Sequence, residues 1–97
     1  MFAFNKEIVN IKGQEVEIVE LSAANRNEVV RLYNKDDNVT VYMIEATVIK
    51  MGCTQAKELS VQEIMDWPSD AFNEVYKAIM RLSGLEETPE GDDLKKD

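Results

Sequence analysis

The sequence predicts a small, mostly helical α+β domain: an N-terminal β-hairpin followed by three to four helices. Three observations predict it. Alternating apolar and acidic residues flank Gly13, which is typical of a hairpin. Ser60 and Glu63 have the spacing of a capping box, and one apolar stripe at helical spacing runs over residues 72–82. We expect residues 1–85 to form a single domain, because 97 residues suffice for one modest core.

The hairpin is predicted over about residues 7–21. Gly13 supplies the positive φ that a tight turn requires. In the second strand Val16 and Ile18 face one side, and the neighbouring glutamates face the other. Because a two-stranded hairpin is not stable alone, we expect its apolar side to lie against the helices.

Two helices are predicted in the middle of the chain. The first covers about residues 23–33, with Ser22 as its N-cap, and the polar run 34–38 predicts a loop after it. For residues 39–51 the β-branched side chains favour a strand, whereas the length and the following Gly52 favour a helix. We interpret 39–51 as a helix, and we expect it to be largely buried because apolar residues cover most of its circumference.

Two further helices are predicted after the capping box, over about residues 61–67 and 69–83. Pro68 can open the second of them without losing a needed N–H group. Gly84 ends it in the left-handed conformation, with Leu85 folding back as in a Schellman motif.

Residues 86–97 differ in composition from the rest of the chain. They hold six acids and two lysines, which is half of the net charge of −8, and only Leu94 is clearly apolar. We expect this segment to be a disordered acidic tail.

The composition argues against catalysis. The chain has no histidine, which removes the commonest general base and the commonest metal ligand. Cys53 is the only cysteine, so an intrachain disulfide and a cysteine-rich zinc site are excluded. The four glycines are scattered and form no phosphate-binding loop. We therefore expect no enzyme, no metal, no cofactor and no small-molecule substrate.

The charge and hydropathy patterns point to a protein that binds proteins. A net charge of −8 without a Lys/Arg stripe argues against nucleic-acid binding. The longest apolar stretch, 39–51, carries Glu45 and Lys50 and is too short to span a bilayer. The first residues lack the pattern of a signal peptide. We expect a soluble cytoplasmic protein with no membrane partner.

Aromatic and methionine residues are the candidates for partner binding, since Trp and Tyr are enriched at binding hot spots. Tyr76 and Met80 are four residues apart and off the main stripe, so they could form a second, exposed strip or pack in the core. For Trp67 we favour core packing. Phe2 and Phe4 could extend the hairpin edge towards a second copy of the chain.

Glu45 is the most informative ionisable residue. On a helix it falls inside the apolar arc. It could recognise a basic residue of a partner. Alternatively it forms an internal ion pair, which we favour because buried acids are normally paired, and the candidate partners are Arg26, Arg31 and Arg81.

Four segments carry a family resemblance: Glu20-Leu-Ser-Ala-Ala-Asn-Arg26, Leu59-Ser-Val-Gln-Glu-Ile-Met-Asp-Trp-Pro68, Phe72-Asn-Glu-Val75 and Ala78-Ile-Met-Arg-Leu-Ser-Gly-Leu85. Together with the hairpin and the apolar helix they resemble the tail assembly chaperones of long-tailed (siphovirus-like) bacteriophages and prophages. In that family, too, a short acidic helix leads into a proline-started helix that closes near Ser-Gly-Leu. The likeness covers roughly residues 12–85 and lies in element order and a few landmark residues.

The resemblance implies a non-virion protein of the bacterial host cytoplasm. It would hold the long tape measure protein soluble and extended while tail tubes polymerise around it. It would also self-associate and contact the tail tube protein. Two alternatives remain open: an acidic inhibitor that mimics DNA, and a minor structural protein of the virion.

Overall fold

A computed structural model of the chain describes residues 1–34 and 39–85. It has an N-terminal antiparallel β-hairpin followed by four α-helices, which confirms the predicted α+β class. The loop predicted within 34–38, apart from Asn34, and the acidic tail predicted over 86–97 lie outside the described residues.

The hairpin consists of β1 (Lys6–Ile11) and β2 (Gln14–Val19). Lys12 and Gly13 form its two-residue turn, with φ of 52° and 86°. Two successive positive φ values are those of a type I′ turn, whose twist matches that of the flanking strands. The apolar face was predicted correctly, because Ile18 is fully buried and Val16 is half-buried on the same side.

The first two helices are α1 (Ala23–Tyr33) and α2 (Val41–Gly52). The Ser22 hydroxyl accepts a hydrogen bond from the Asn25 N–H at 3.0 Å, as an N-cap does. Thr40 caps α2 in the same way, accepting from the Met43 N–H at 3.2 Å. The helical interpretation of this segment is confirmed, and the cap explains why α2 begins two residues later than predicted.

A 3₁₀ turn over Thr54–Ala56, which the sequence did not predict, follows α2. It covers the outer edge of β2. Cys53 forms an isolated antiparallel bridge with Ile18, and the Glu17 N–H donates to Gln55 Oε1 at 3.1 Å. These contacts satisfy backbone groups that an open strand edge would leave unpaired.

The last two helices are α3 (Val61–Met65) and α4 (Ser69–Leu82). The capping box is present: Ser60 N–H donates to Glu63 Oε1 at 2.8 Å, and Glu63 N–H donates to Ser60 Oγ at 3.1 Å. The helix α3 ends two residues before the predicted boundary, because Pro68 disfavours helical geometry in the residue before it.

A Schellman motif ends α4, as predicted. Gly84 has a φ of 74°. The Leu85 N–H donates to the Met80 carbonyl at 2.8 Å, and the Gly84 N–H donates to the Arg81 carbonyl at 3.1 Å.

One core joins the hairpin to all four helices, with Val29 as the buried residue of α1. Its fully buried isoleucines come from β2, α2, α3 and α4: Ile18, Ile49, Ile64 and Ile79. The helices α2 and α4 approach closely at Gly52, where an added Cβ would lie 2.6 Å from Ile79 Cγ2. The buried Ser83 hydroxyl accepts from the Leu21 N–H at 2.9 Å, which ties the end of the hairpin to the end of α4.

Candidate partner-binding surface

A concave surface with a volume of about 380 Å³ lies between the turn end of the hairpin and the start of α4. Ile11 and Val16 line it from the strands, and Ala71 and Val75 line it from α4. Trp67 forms one wall. The site is therefore mostly apolar, with polar groups at its margin, as ligand-sized sites usually are.

A second concave surface, of about 470 Å³, also has Trp67 in its lining. Tyr42 lines it from the first turn of α2, Met65 from α3 and Phe72 from α4. Trp67 is half-buried and belongs to both surfaces. We call the two together the Trp67 surface.

Backbone hydrogen bonds fix Trp67 between α3 and α4. The Trp67 N–H donates to the Ile64 carbonyl at 3.1 Å, and the Phe72 N–H donates to the Pro68 carbonyl at 3.0 Å. Ile64 is fully buried and anchors α3 to the core. Trp67 therefore belongs to a short connection that these backbone hydrogen bonds hold in place, and not to a long loop.

An ion pair links the two sides of the first concave surface. Lys12 Nζ lies 2.9 Å from Asp70 Oδ2, so the hairpin turn is held to the first turn of α4. The hydrogen bond from Lys12 lowers the pKa of Asp70, and the same hydrogen bond raises the pKa of Lys12. Both side chains are more than half exposed, so the pair positions these elements more than it stabilises them.

The first turn of α2 is exposed and apolar. Val41 is 53% exposed and Tyr42 is 64% exposed. The expectation that this helix is largely buried was therefore wrong for its first turn. Burial begins at Ile44, which is 3% exposed, and continues through Ala46, Val48 and Ile49. No local signal in the sequence reveals this exposure, because the N-cap residue Thr40 marks where the helix begins but not what covers its first turn.

The predicted site residues are spread over the molecule. Of the five, only Trp67 lines the concave surfaces. Tyr76 and Met80 are half-buried and pack against the core, so they do not form a fully exposed second strip. Phe2 and Phe4 are exposed ahead of β1 and line neither concave surface.

Glu45 does not form the internal ion pair that we favoured, within the residues that the structure describes. Arg31 pairs with Glu28 at 2.6 Å, and Arg81 pairs with Glu7 at 3.3 Å. No ion pair joins Arg26 to Glu45 across residues 1–34 and 39–85. Glu45 is half-buried, and this burial raises the pKa of its carboxyl group.

Other chemistry is sparse in the described part of the chain. No group of three or more Cys, Asp or Glu side chains there could hold a metal ion. Cys53 is buried, and burial raises the pKa of its thiol, which lowers the thiolate fraction. None of the helices within residues 1–34 and 39–85 is long and apolar enough to cross a membrane.

Comparison with known protein families, with curated proteins and with solved structures gives no match in any of the three. What bears on function is therefore the resemblance over residues 12–85 and the geometry of the Trp67 surface.

Proposed function

We propose that this chain is a tail assembly chaperone of a long-tailed bacteriophage or prophage. It binds the tape measure protein in the host cytoplasm and keeps it soluble while the tail tube assembles. The observation that carries the proposal is the apolar, concave Trp67 surface. Trp67, which lines both concave surfaces, lies in Leu59–Pro68, the segment of strongest resemblance.

The geometry suits an apolar helical partner. Long apolar helices expose large hydrophobic patches and aggregate when they are left uncovered. An apolar groove binds such a helix along one face, and Tyr42 and Trp67 supply aromatic side chains of the kind found at hot spots. Several chaperone copies on one long partner would add avidity to individually weak contacts. Self-association and contact with the tail tube protein complete the proposed cycle.

The charge distribution supports this function over mimicry of DNA. The described residues hold eleven acids and eight bases, a net charge of −3. Three of the acids, Glu7, Glu28 and Asp70, are already in ion pairs. A DNA mimic needs rows of unpaired carboxylates on a rigid surface, whereas a modest net negative charge suits a soluble coat.

Co-expression with the tape measure protein of the same genome tests the proposal. We expect the tape measure protein to be soluble only when this chain is present. Size exclusion with light scattering should then find several copies of the chain per partner. Tyr42→Ala should reduce the number of bound copies, since Tyr42 lines the Trp67 surface.

Tyr33→Ala is the matched control, because Tyr33 is a tyrosine of similar exposure (52%) that lines neither concave surface. The proposal is wrong if the tape measure protein stays insoluble in the presence of this chain. Presence of the chain in finished particles would instead support a minor structural protein of the virion.

A further inference from the structure

Glu45 lies at the centre of the buried face of α2. Projected at about 100° per residue, the buried residues of this helix occupy one arc, and Glu45 is at its middle: Ile44, Ala46, Val48, Ile49 and Gly52. Glu45 is nevertheless only half-buried. Glu45 therefore lies on the core-facing arc of the helix, yet its side chain stays partly exposed.

The described surroundings supply no counter-charge to this carboxylate. No cation within residues 1–34 and 39–85 lies within 4.0 Å of it. Lys50, on the same helix, donates instead to the carbonyls of Lys57 and Leu59, at 2.9 and 2.6 Å. Partial burial removes some of the hydration of this carboxylate, and no described cation compensates for that loss, which is unfavourable.

Two exposed apolar residues lie next to Glu45 on α2. Val41 lies one turn before Glu45 on the same face, and Tyr42 lies beside it. Both are more than half exposed, and Tyr42 continues into the Trp67 surface. Val41, Tyr42 and Glu45 thus form an exposed strip that is apolar except for one carboxylate.

We propose that this strip, made of Val41, Tyr42 and Glu45, binds an apolar helix that carries one lysine or arginine, and that Glu45 pairs with that basic residue. The inference rests on the proposed function, in that the tape measure protein is the expected source of the helix. Charge complementarity selects this partner. A basic residue on the partner helix would pair with the carboxylate of Glu45, and the apolar residues of the same helix would cover Val41 and Tyr42. The pair fixes register along the groove, as buried charged contacts at interfaces do.

Overlapping synthetic peptides that span the tape measure protein, each long enough for several helical turns, are the probes for this site. Binding is followed by fluorescence anisotropy. We expect Glu45→Gln to weaken binding of the tightest peptide at least about tenfold. Replacing the basic residue of that peptide with glutamine should remove the difference between wild type and Glu45→Gln, as a double-mutant cycle requires for direct pairing.

Glu58→Gln is the matched control, because it removes the same charge from an exposed position after the 3₁₀ turn. Thermal unfolding of each variant establishes that lost binding is not lost folding. If Glu45→Gln binds as tightly as wild type while Tyr42→Ala binds more weakly, the ion pair is refuted and the chaperone function stands. If no peptide binds the wild-type chain, both proposals fail.

Discussion

The two halves of α2 present one apolar face to different surroundings. Ala46, Val48 and Ile49 are fully buried, whereas Val41 and Tyr42, on the same helix, are more than half exposed. The apolar composition hardly changes along the helix, so burial is decided by what lies opposite. Apolar composition alone therefore does not distinguish a buried stretch of helix from an exposed one.

Truncating the buried half should have the largest effect on stability. Ile49→Ala removes a fully buried side chain, and we expect it to lower the free energy of unfolding by about 2–5 kcal/mol. Urea unfolding followed by circular dichroism measures this, with Val41→Ala as the matched control in the exposed half. A loss no larger than that of Val41→Ala would contradict the division of the helix.

The close approach of α2 to α4 should make Gly52→Ala destabilising. Its Cβ would lie 2.6 Å from Ile79 Cγ2, and overpacking of this kind costs about 1–3 kcal/mol. The better helix propensity of alanine offsets this by at most about 1 kcal/mol. Unfolding in urea is again the measurement, and a net stabilisation would mean that the core relaxes easily at this point.

At the boundary between the halves, Glu45→Gln should stabilise the protein slightly at about pH 7. Burial raises the pKa of Glu45 above its ordinary value of 4.5, so the folded state holds the proton more tightly than the unfolded state does. The contribution of protonated Glu45 to the free energy of unfolding is therefore fully present below pH 4.5. It is lost as the pH rises through the pKa of Glu45 in the folded state. Because Glu45 is partly exposed, we expect a gain below about 1 kcal/mol.

The gain from Glu45→Gln should shrink as the pH approaches about 4, where the carboxyl is becoming protonated in both states. Urea midpoints of wild type and variant at several pH values measure it. Equal stability at all pH values, or a loss at about pH 7, would mean that Glu45 has a favourable partner.

The exposed half should contribute least to stability. Tyr42→Ala is expected to change the free energy of unfolding by less than about 0.5 kcal/mol, even where it weakens binding of the proposed partner. Thermal unfolding beside Tyr33→Ala measures this. A large loss would place Tyr42 in the core and remove it from the proposed docking strip.

Local signals made much of the fold predictable. The hairpin turn, the Ser22 cap, the capping box at Ser60 and the Schellman motif at Gly84 each depend on residues within a few positions of one another. Such patterns can be read from the sequence because the interacting groups are neighbours in it. The helical nature of α2 also followed, once its length was weighed against its β-branched residues.

Contacts between distant parts of the chain could not be predicted in the same way. The cover of the β2 edge joins Glu17 to Gln55, 38 positions apart, and Arg81 pairs with Glu7 rather than Glu45 across 74 positions. Periodicity placed Tyr76 and Met80 off the main stripe but could not tell half-buried from exposed. The Trp67 surface also depends on Tyr42, which is brought to Phe72 only by the packing of α2, α3 and α4.

The hydrogen bond from the Leu21 N–H to the Ser83 hydroxyl has a consequence for synthesis on the ribosome. The two residues are 62 positions apart, so the hairpin is translated first and the helix end that holds it comes last. At about 5–20 residues per second, the apolar side of β2 waits roughly 3–12 s for α4 to be made. During that interval the nascent strands have no helix α4 to lie against, so the contact between the hairpin and α4 can form only after α4 has been translated.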